Sequence, residues 1–291
     1  MLGYVHAPEV SAGGERTGRV CVMAPWSDTW YYSTVIAGAE QALRERGYET
    51  LLHCAPTQEE RIEFLRRQPV RGAIDGIITV SFPLDPIPVA RADGSPLPMV
   101  TVSTRHPGVP SATIDDRHAA AQAVGHLIRM GHQRIGLIRT TGPDGEMWEA
   151  DLARAQGYSA ALAAAGIGEP DELTVVAPFG IDGGAEAMER LLGVDPLPTA
   201  VFCFSDEVAI GALRTLRRMG IAVPEKMSVI AVDDHPMAEL VDLTTVGQPA
   251  RQLGMEAARL LMAVLDGGAA EDVMLETRLI ARHTTSAPSE L

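Results

Sequence analysis

The chain has 291 residues, 46% hydrophobic and 21% charged, enough for one large or two medium domains with substantial cores. Its net charge is −14 and Lys226 is its only lysine, so this body repels polyanions and is not expected to bind DNA well by itself. No apolar run reaches the roughly 18 residues of a membrane span, and the odd set of Cys21, Cys54 and Cys203, all in or beside apolar runs, reads as reduced thiols of a cytoplasmic protein.

From the N-terminus, residues 1–16 lack a basic stretch followed by an apolar one, so no secretory signal is read there. Pro8 and the pair Gly13-Gly14 oppose a helix, which predicts a disordered or loosely packed segment. A strand is expected at Arg19–Met23, then a helix over about Tyr31–Arg46 closed by Gly47. The strand Glu49–Cys54, a helix near Gln58–Arg67 and the strand Ile74–Val80 follow. Pro83 to Pro98 carries too many prolines for a long regular helix, and a fourth strand is read at Pro98–Ser103. Strands alternating with amphipathic helices at this spacing imply a parallel sheet covered on both faces.

A second series starts at Asp115-Asp116, which caps a helix running to Met130 with Gly131 as its stop. A strand at Arg134–Arg139, the turn 142–145 and a helix from Trp148 to Ala165 come next. Leu173–Val176 and Gly183–Leu192 form a further strand and helix. Ala200–Phe204 is an apolar run of the kind buried on both faces of a parallel sheet. Ser205-Asp206 ends it, with Asp206 placed as N-cap and Glu207 in the positive first turn of a helix. That helix buries Ala209, Ile210, Leu213 and Leu216, stops at Gly220, and is followed by a second buried run, Val229–Val232, ending in Asp233-Asp234. Two such series in under 300 residues predict an α/β protein of two similar doubly wound parallel-sheet lobes.

Ligands of open α/β sheets bind beyond the carboxyl ends of the strands. Ser205, Asp206, Asp233 and Asp234 therefore gather on one rim, although helix and turn capping accounts equally for carboxylates there. Trp26, Trp30, Tyr31 and Tyr32 crowd the same rim of the first unit in a chain only 4% aromatic. Trp30 or Tyr32 packing under the helix as core is an open alternative. Enzyme signatures are missing: no P-loop, no G-x-G-x-x-G after a strand, no G-x-S-x-G elbow, no H-E-x-x-H and no C-x-x-C. Asp233-Asp234-His235 is the best metal candidate, but adjacent side chains point apart and seldom ligate one ion, so no metal or cofactor is expected.

The stretch SDEVAIGALRTLRRMGIAVPEKMSVIAVDD followed by LTTVGQPARQLGMEAARLL resembles the ligand-binding core of the LacI/GalR family of bacterial transcriptional repressors. Arg278–Thr285 resembles that family's closing strand, and the likeness runs over about residues 18–288. It implies a type I periplasmic-binding-protein-like fold whose chain crosses three times between lobes, near Asp115–His118, Val246–Ala250 and Met274–Thr277. The N-terminal lobe is then 17–115 plus 250–275 and the C-terminal lobe 116–249 plus 276–288, with 1–16 as a hinge remnant. Leu2-Gly3-Tyr4-Val5 resembles the point where the helix-turn-helix domain ends, so that domain is expected to be absent from this chain. The hinge departs from the family's pattern, since Gly13 stands at the place of the wedging leucine.

By the same resemblance, Tyr31 and Tyr32 face the effector. Arg154, in Arg154-Ala155-Gln156-Gly157-Tyr158, reaches it, and Phe179 lies over it. Asp233 takes ligand hydroxyls or amines, with Ser205 beside it. Gln248 contacts ligand or braces the hinge. Ser103 stands where many members carry Asp. The expected function is a cytoplasmic effector-sensing domain that binds a small polar molecule, a sugar or derivative, in a homodimer that reaches DNA only through the missing head. The rival is a sugar-binding receptor of a transporter, which would need export and would be a monomer; a third class, an enzyme on a doubly wound fold, would turn its ligand over.

Overall fold

The computed structural model describes residues 16–66, 73–81, 94–142 and 145–289. Nearly all of the hinge remnant expected over 1–16, and most of the proline-rich segment before Pro98, lie outside the described residues.

The first sheet is built from β1 (Arg19–Ala24), β2 (Glu49–Cys54), β3 (Gly76–Val80), β4 (Met99–Val102), β5 (Ser111–Ile114) and, from the far end of the chain, β11 (Val273–Leu275). Their order is β11-β5-β4-β3-β1-β2, every pair parallel. The second sheet takes β6 (Ile135–Thr141), β7 (Thr174–Pro178), β8 (Ala200–Cys203), β9 (Ser228–Asp233), β10 (Thr244–Gly247) and β12 (Arg278–Ile280). Its order is β12-β10-β9-β8-β6-β7, parallel except for the antiparallel pair of β10 with β12. Central strands such as β3 and β9 are buried along their whole length, as continuous apolar runs require when helices cover both faces.

Helices α1 (Trp30–Glu45) and α2 (Gln58–Arg66) belong to the first series. Helices α3 (Asp116–Arg129), α4 (Glu149–Ala164), α5 (Ile181–Leu191), α6 (Asp206–Arg218) and the short α7 (Pro236–Leu240) belong to the second. The last helix, α8 (Ala250–Leu265), returns to pack on α1 and on β3, β4 and β5. The chain therefore passes between the sheets three times: after β5, after β10, and between β11 and β12.

The α1–α8 contact depends on two small residues. A Cβ at Gly254 would lie 2.0 Å from the Val35 carbonyl oxygen, and one at Gly38 would lie 2.1 Å from that of Arg251. Backbone cannot yield as a side-chain tip can. Gly254→Ala is expected to cost about 2 kcal/mol or more by forcing the helices apart, and a lowered thermal midpoint reads it. Gly168→Ala, with open space around it, is the control that should leave the midpoint almost unchanged.

Two expectations change on inspection. The closing strand expected over Arg278–Thr285 pairs only as Arg278–Ile280. Beyond it the chain is held by the buried Thr284, whose hydroxyl donates to the Val229 carbonyl at 2.7 Å and accepts from the Thr244 N–H at 2.8 Å. The helix expected to be capped by Asp206 is capped by Ser205, whose hydroxyl accepts from the Val208 N–H.

Candidate functional site

The carboxyl ends of the two sheets face each other across one cleft of about 460 Å³, its open mouth included. Almost every side chain that lines it sits just past a strand end or in the first turns of the following helix, where an open α/β sheet presents its ligand groups. From the first series come Tyr31 and Tyr32 at the start of α1, Ser81 after β3 and Ser103 after β4. From the second come Asp116 on α3, Trp148 just before α4, Arg154 on α4, Phe179 after β7, Phe204 and Ser205 after β8, Asp233 at the end of β9 and Gln248 after β10. All eight residues singled out from the sequence (Tyr31, Tyr32, Ser103, Arg154, Phe179, Ser205, Asp233 and Gln248) lie on this one surface. Ser81, Asp116, Ala150, Trp148 and Phe204 join them without having been singled out as ligand contacts.

Local backbone geometry aims several of these groups. Ser81 and Ser103 both have φ of 58°, and Asp233 and Asp234 have φ of 144° and 64°. Such left-handed backbone is uncommon for residues with a Cβ and persists where the surroundings enforce it. The Tyr31 hydroxyl hydrogen-bonds the Ser103 hydroxyl across the mouths of α1 and β4. Burial pushes the Tyr31 phenol up to about 12, so it remains a neutral donor at any ordinary pH.

The wall of the cleft is aromatic and spans both lobes. Trp26 stacks on Phe179 at 6.0 Å with planes 11° apart, and meets Trp148 edge-on at 5.8 Å. Trp148 in turn contacts Phe179 at 5.4 Å and Phe204 at 5.9 Å. Offset and edge-on contacts of this kind add roughly 0.5–1.5 kcal/mol each beyond area burial. Trp30 packs against the core of its own lobe and against the His235 ring of the other at 5.3 Å, while Tyr32 is both core and lining residue.

The polar floor is charged and buried. Arg154 donates from Nε to Asp116 Oδ1 at 2.8 Å and from Nη1 to the Phe204 carbonyl at 2.6 Å, with its guanidinium carbon 4.5 Å above the Phe204 ring. Asp115, not Asp116, caps α3 by accepting from the His118 N–H at 2.8 Å, which leaves Asp116 for the arginine. Asp233 accepts from Gln248 Nε2 at 2.6 Å. Behind it Asp206, fully buried, accepts from the Thr245 hydroxyl at 2.6 Å and from the His235 N–H at 2.8 Å. Burial pushes the Asp233 carboxyl up to about 7, although Arg154 and Gln248 pull in the other direction. Burial, then the charge of Asp233, holds Asp206 well above the usual carboxylate range. Burial also raises Asp116 against the pull of Arg154.

Contacts across the mouth hold the lobes together. Thr29, the residue before α1, makes no side-chain cap, and the first turn of that helix has no acidic residue. Glu207 of α6 fills the place from the other lobe, accepting from the Trp30 N–H at 3.3 Å. Glu207 stands in the first turn of α6 as expected, and this bond adds a second task, since the macrodipole it offsets belongs to α1 as well. Burial raises the Glu207 carboxyl, and the Trp30 bond opposes that rise. Arg61 pairs with Glu146 at 3.2 Å, and the Arg105 N–H donates to Glu149 at 3.3 Å. Among the described residues no cluster of His, Cys, Asp and Glu has the makings of a metal site, and Asp233, Asp234 and His235 turn to separate partners. No helix among them is long and apolar enough to cross a membrane.

Residues 124–285 match the family model of the periplasmic binding protein-like domain. The chain is 32% identical to the HTH-type transcriptional repressor CytR of Escherichia coli (strain K12), over 98% of this chain and 85% of that protein. It is 36% identical to the HTH-type transcriptional regulator CelR of Thermobifida fusca, over 87% of this chain and 76% of the relative. Among solved structures, the complex of the transcriptional regulator CelR with cellobiose superposes with a TM-score of 0.81 at 32% identity, covering 92% of this chain and 85% of that one.

Proposed function

The chain belongs to the LacI/GalR family of bacterial transcriptional regulators, and from that premise we propose that its interlobe cleft binds a sugar or sugar-like effector whose capture alters DNA binding. The observation that carries this reading is the convergence of aromatic planes, an anchored arginine and a buried carboxylate from both series on one cleft. Flat rings such as Phe179 and Trp148 suit the apolar faces of a sugar, and Asp233, Gln248 and Ser205 suit its hydroxyls. Arg154 offers directional donors at the centre.

Because groups of both lobes meet at the cleft, an effector placed there favours the closed arrangement. The closure in turn rotates the lobes of a homodimer and resets the spacing of its DNA-binding heads, a coupling typically worth about 1–3 kcal/mol. The acidic body repels phosphates, so DNA contact falls to a helix-turn-helix head, and the transcriptional regulators among its relatives support work in the cytoplasm, where the DNA is. The relatives found are transcriptional regulators, which supports this reading over a transporter's receptor or an enzyme.

A thermal-shift screen of mono- and disaccharides, sugar phosphates and nucleosides tests the proposal. A ligand at a hundred times its Kd stabilises the folded chain by about 2.7 kcal/mol, so a true effector raises the midpoint by several degrees. It should also release or retain operator DNA in the head-bearing dimer. A screen in which no such compound shifts the midpoint removes the reading.

A further inference from the structure

The cleft sets one cation among several acidic groups. Among the described lining residues Arg154 is the sole cation, while Asp116 and Asp233 are acidic, the Asp233 carboxyl pushed up to about 7, and Asp206 and Glu207 lie close behind. The charge of the arginine is also offset, and two of its donor groups are taken. Its Nε meets Asp116 at 2.8 Å, its Nη1 meets the Phe204 carbonyl at 2.6 Å, and one face is covered by the Phe204 ring. The side chains of Arg154 and Asp116 are 6% and 11% exposed, so their mutual neutralisation takes place out of water, where it is only weakly screened.

An anionic group entering this space meets two unfavourable options. It either lies beside Asp233 with no cation free to offset it, or it displaces Asp116 and strands a buried carboxylate near Glu149. A hydroxyl or an amine meets neither, since Asp233 and Asp116 accept from such donors.

We propose that Asp116 is a specificity-determining residue: by offsetting the positive charge of the Arg154 guanidinium, it restricts the cleft to uncharged or amine-bearing effectors and turns away phosphorylated ones. The inference rests on the cleft being the effector site and adds the class of effector it admits. Discrimination of this kind acts by building a penalty against the wrong ligand rather than a new contact to the right one.

The test uses inorganic phosphate as the probe, measured by calorimetry on the full chain. The wild-type protein is expected to show no phosphate binding in the cleft. Asp116→Asn, which keeps the shape and removes the charge, is expected to gain affinity for phosphate by roughly a hundredfold, and Arg154→Met in the same background should abolish the gain. Asp116→Ser serves if the Asn variant does not fold. Phosphate binding to the wild type that Arg154→Met removes overturns the proposal, as does a folded Asp116 variant that gains nothing. Ribose and ribose 5-phosphate, run as a matched pair, separate this from the broader reading. Binding of the phosphorylated member alone overturns the filter and leaves the effector site standing. Should neither sugar bind, the phosphate arm still decides the role of Asp116.

Discussion

Arg154→Met is expected to abolish effector binding and to lower the thermal midpoint of the effector-free chain as well. The second half of that expectation comes from the partners of the guanidinium. It ties the start of α3, through Asp116, to the end of β8, through the Phe204 carbonyl. Removing one member of a buried ion pair costs about 3–5 kcal/mol, because the other is left charged without a partner. Here Asp116 and Asp233 would both be left, each of them drawn toward ionisation by Arg154. They can relieve the strain by taking up protons, so the stability loss should shrink as the pH is lowered toward 5. Arg154→Lys keeps the charge but not the planar fork, and is expected to recover most of the midpoint and little of the affinity. Calorimetry with the effector and thermal melts at two pH values check both parts, while sedimentation confirms that the oligomeric state is retained. A Met variant that binds as tightly as the wild type removes Arg154 from the site.

The two sheets were legible because the strand–helix alternation and the apolar runs are strong and local. β3 and β9 read as buried strands for the reason they are buried: both faces are covered. What escaped was short or long-range. β5 and β11 have four and three residues and draw their pairing from each other and from β4, not from any pattern of their own. Asp206 was misplaced because Ser205 takes the cap, and its real partners, Thr245 and His235, lie in other elements of the second lobe.

The site divides in the same way. Arg154, Phe179 and Asp233 stand in segments with a family pattern, and Ser103 and Ser205 stand at strand ends. Phe204 offered the strand-end signal too, but as the last letter of an apolar run it looked like core. Trp148 opens a helix after a turn, the same kind of place as Tyr31 and Tyr32 on α1, and that analogy could have found it. Asp116 had no such signal: which of two adjacent aspartates caps the helix depends on an arginine 38 residues away.

In the effector-free chain, the thermal midpoint is expected to fall as the pH rises from about 5 to 8, and Asp233→Asn is expected to flatten that fall. The folded-state value for Asp233 is about 7, above the roughly 3.9 of an unfolded aspartate. The folded state therefore holds a proton that the unfolded state releases between about pH 4 and 7. That contribution to stability is full below the unfolded value and is lost as the pH climbs through 7, on the order of a few kcal/mol. Asp206 and Glu207, also raised, act with the same sign. His235, lowered by burial, acts with the opposite sign, contributing stability that is lost as the pH falls. The difference between wild type and the Asn variant isolates Asp233 from these.

Binding runs the other way. An effector that donates hydroxyls to Asp233 favours its ionised form, so capture below pH 7 releases a proton, and affinity rises up to about tenfold per pH unit until it levels above 7. Calorimetry in two buffers of different ionisation enthalpy counts that proton directly. A wild-type affinity that does not change between pH 5.5 and 7.5, with no proton released, would show that the ligand leaves Asp233 untouched. The carboxylate would then be a strut for Gln248 and the crossing after β10, not a hand on the effector.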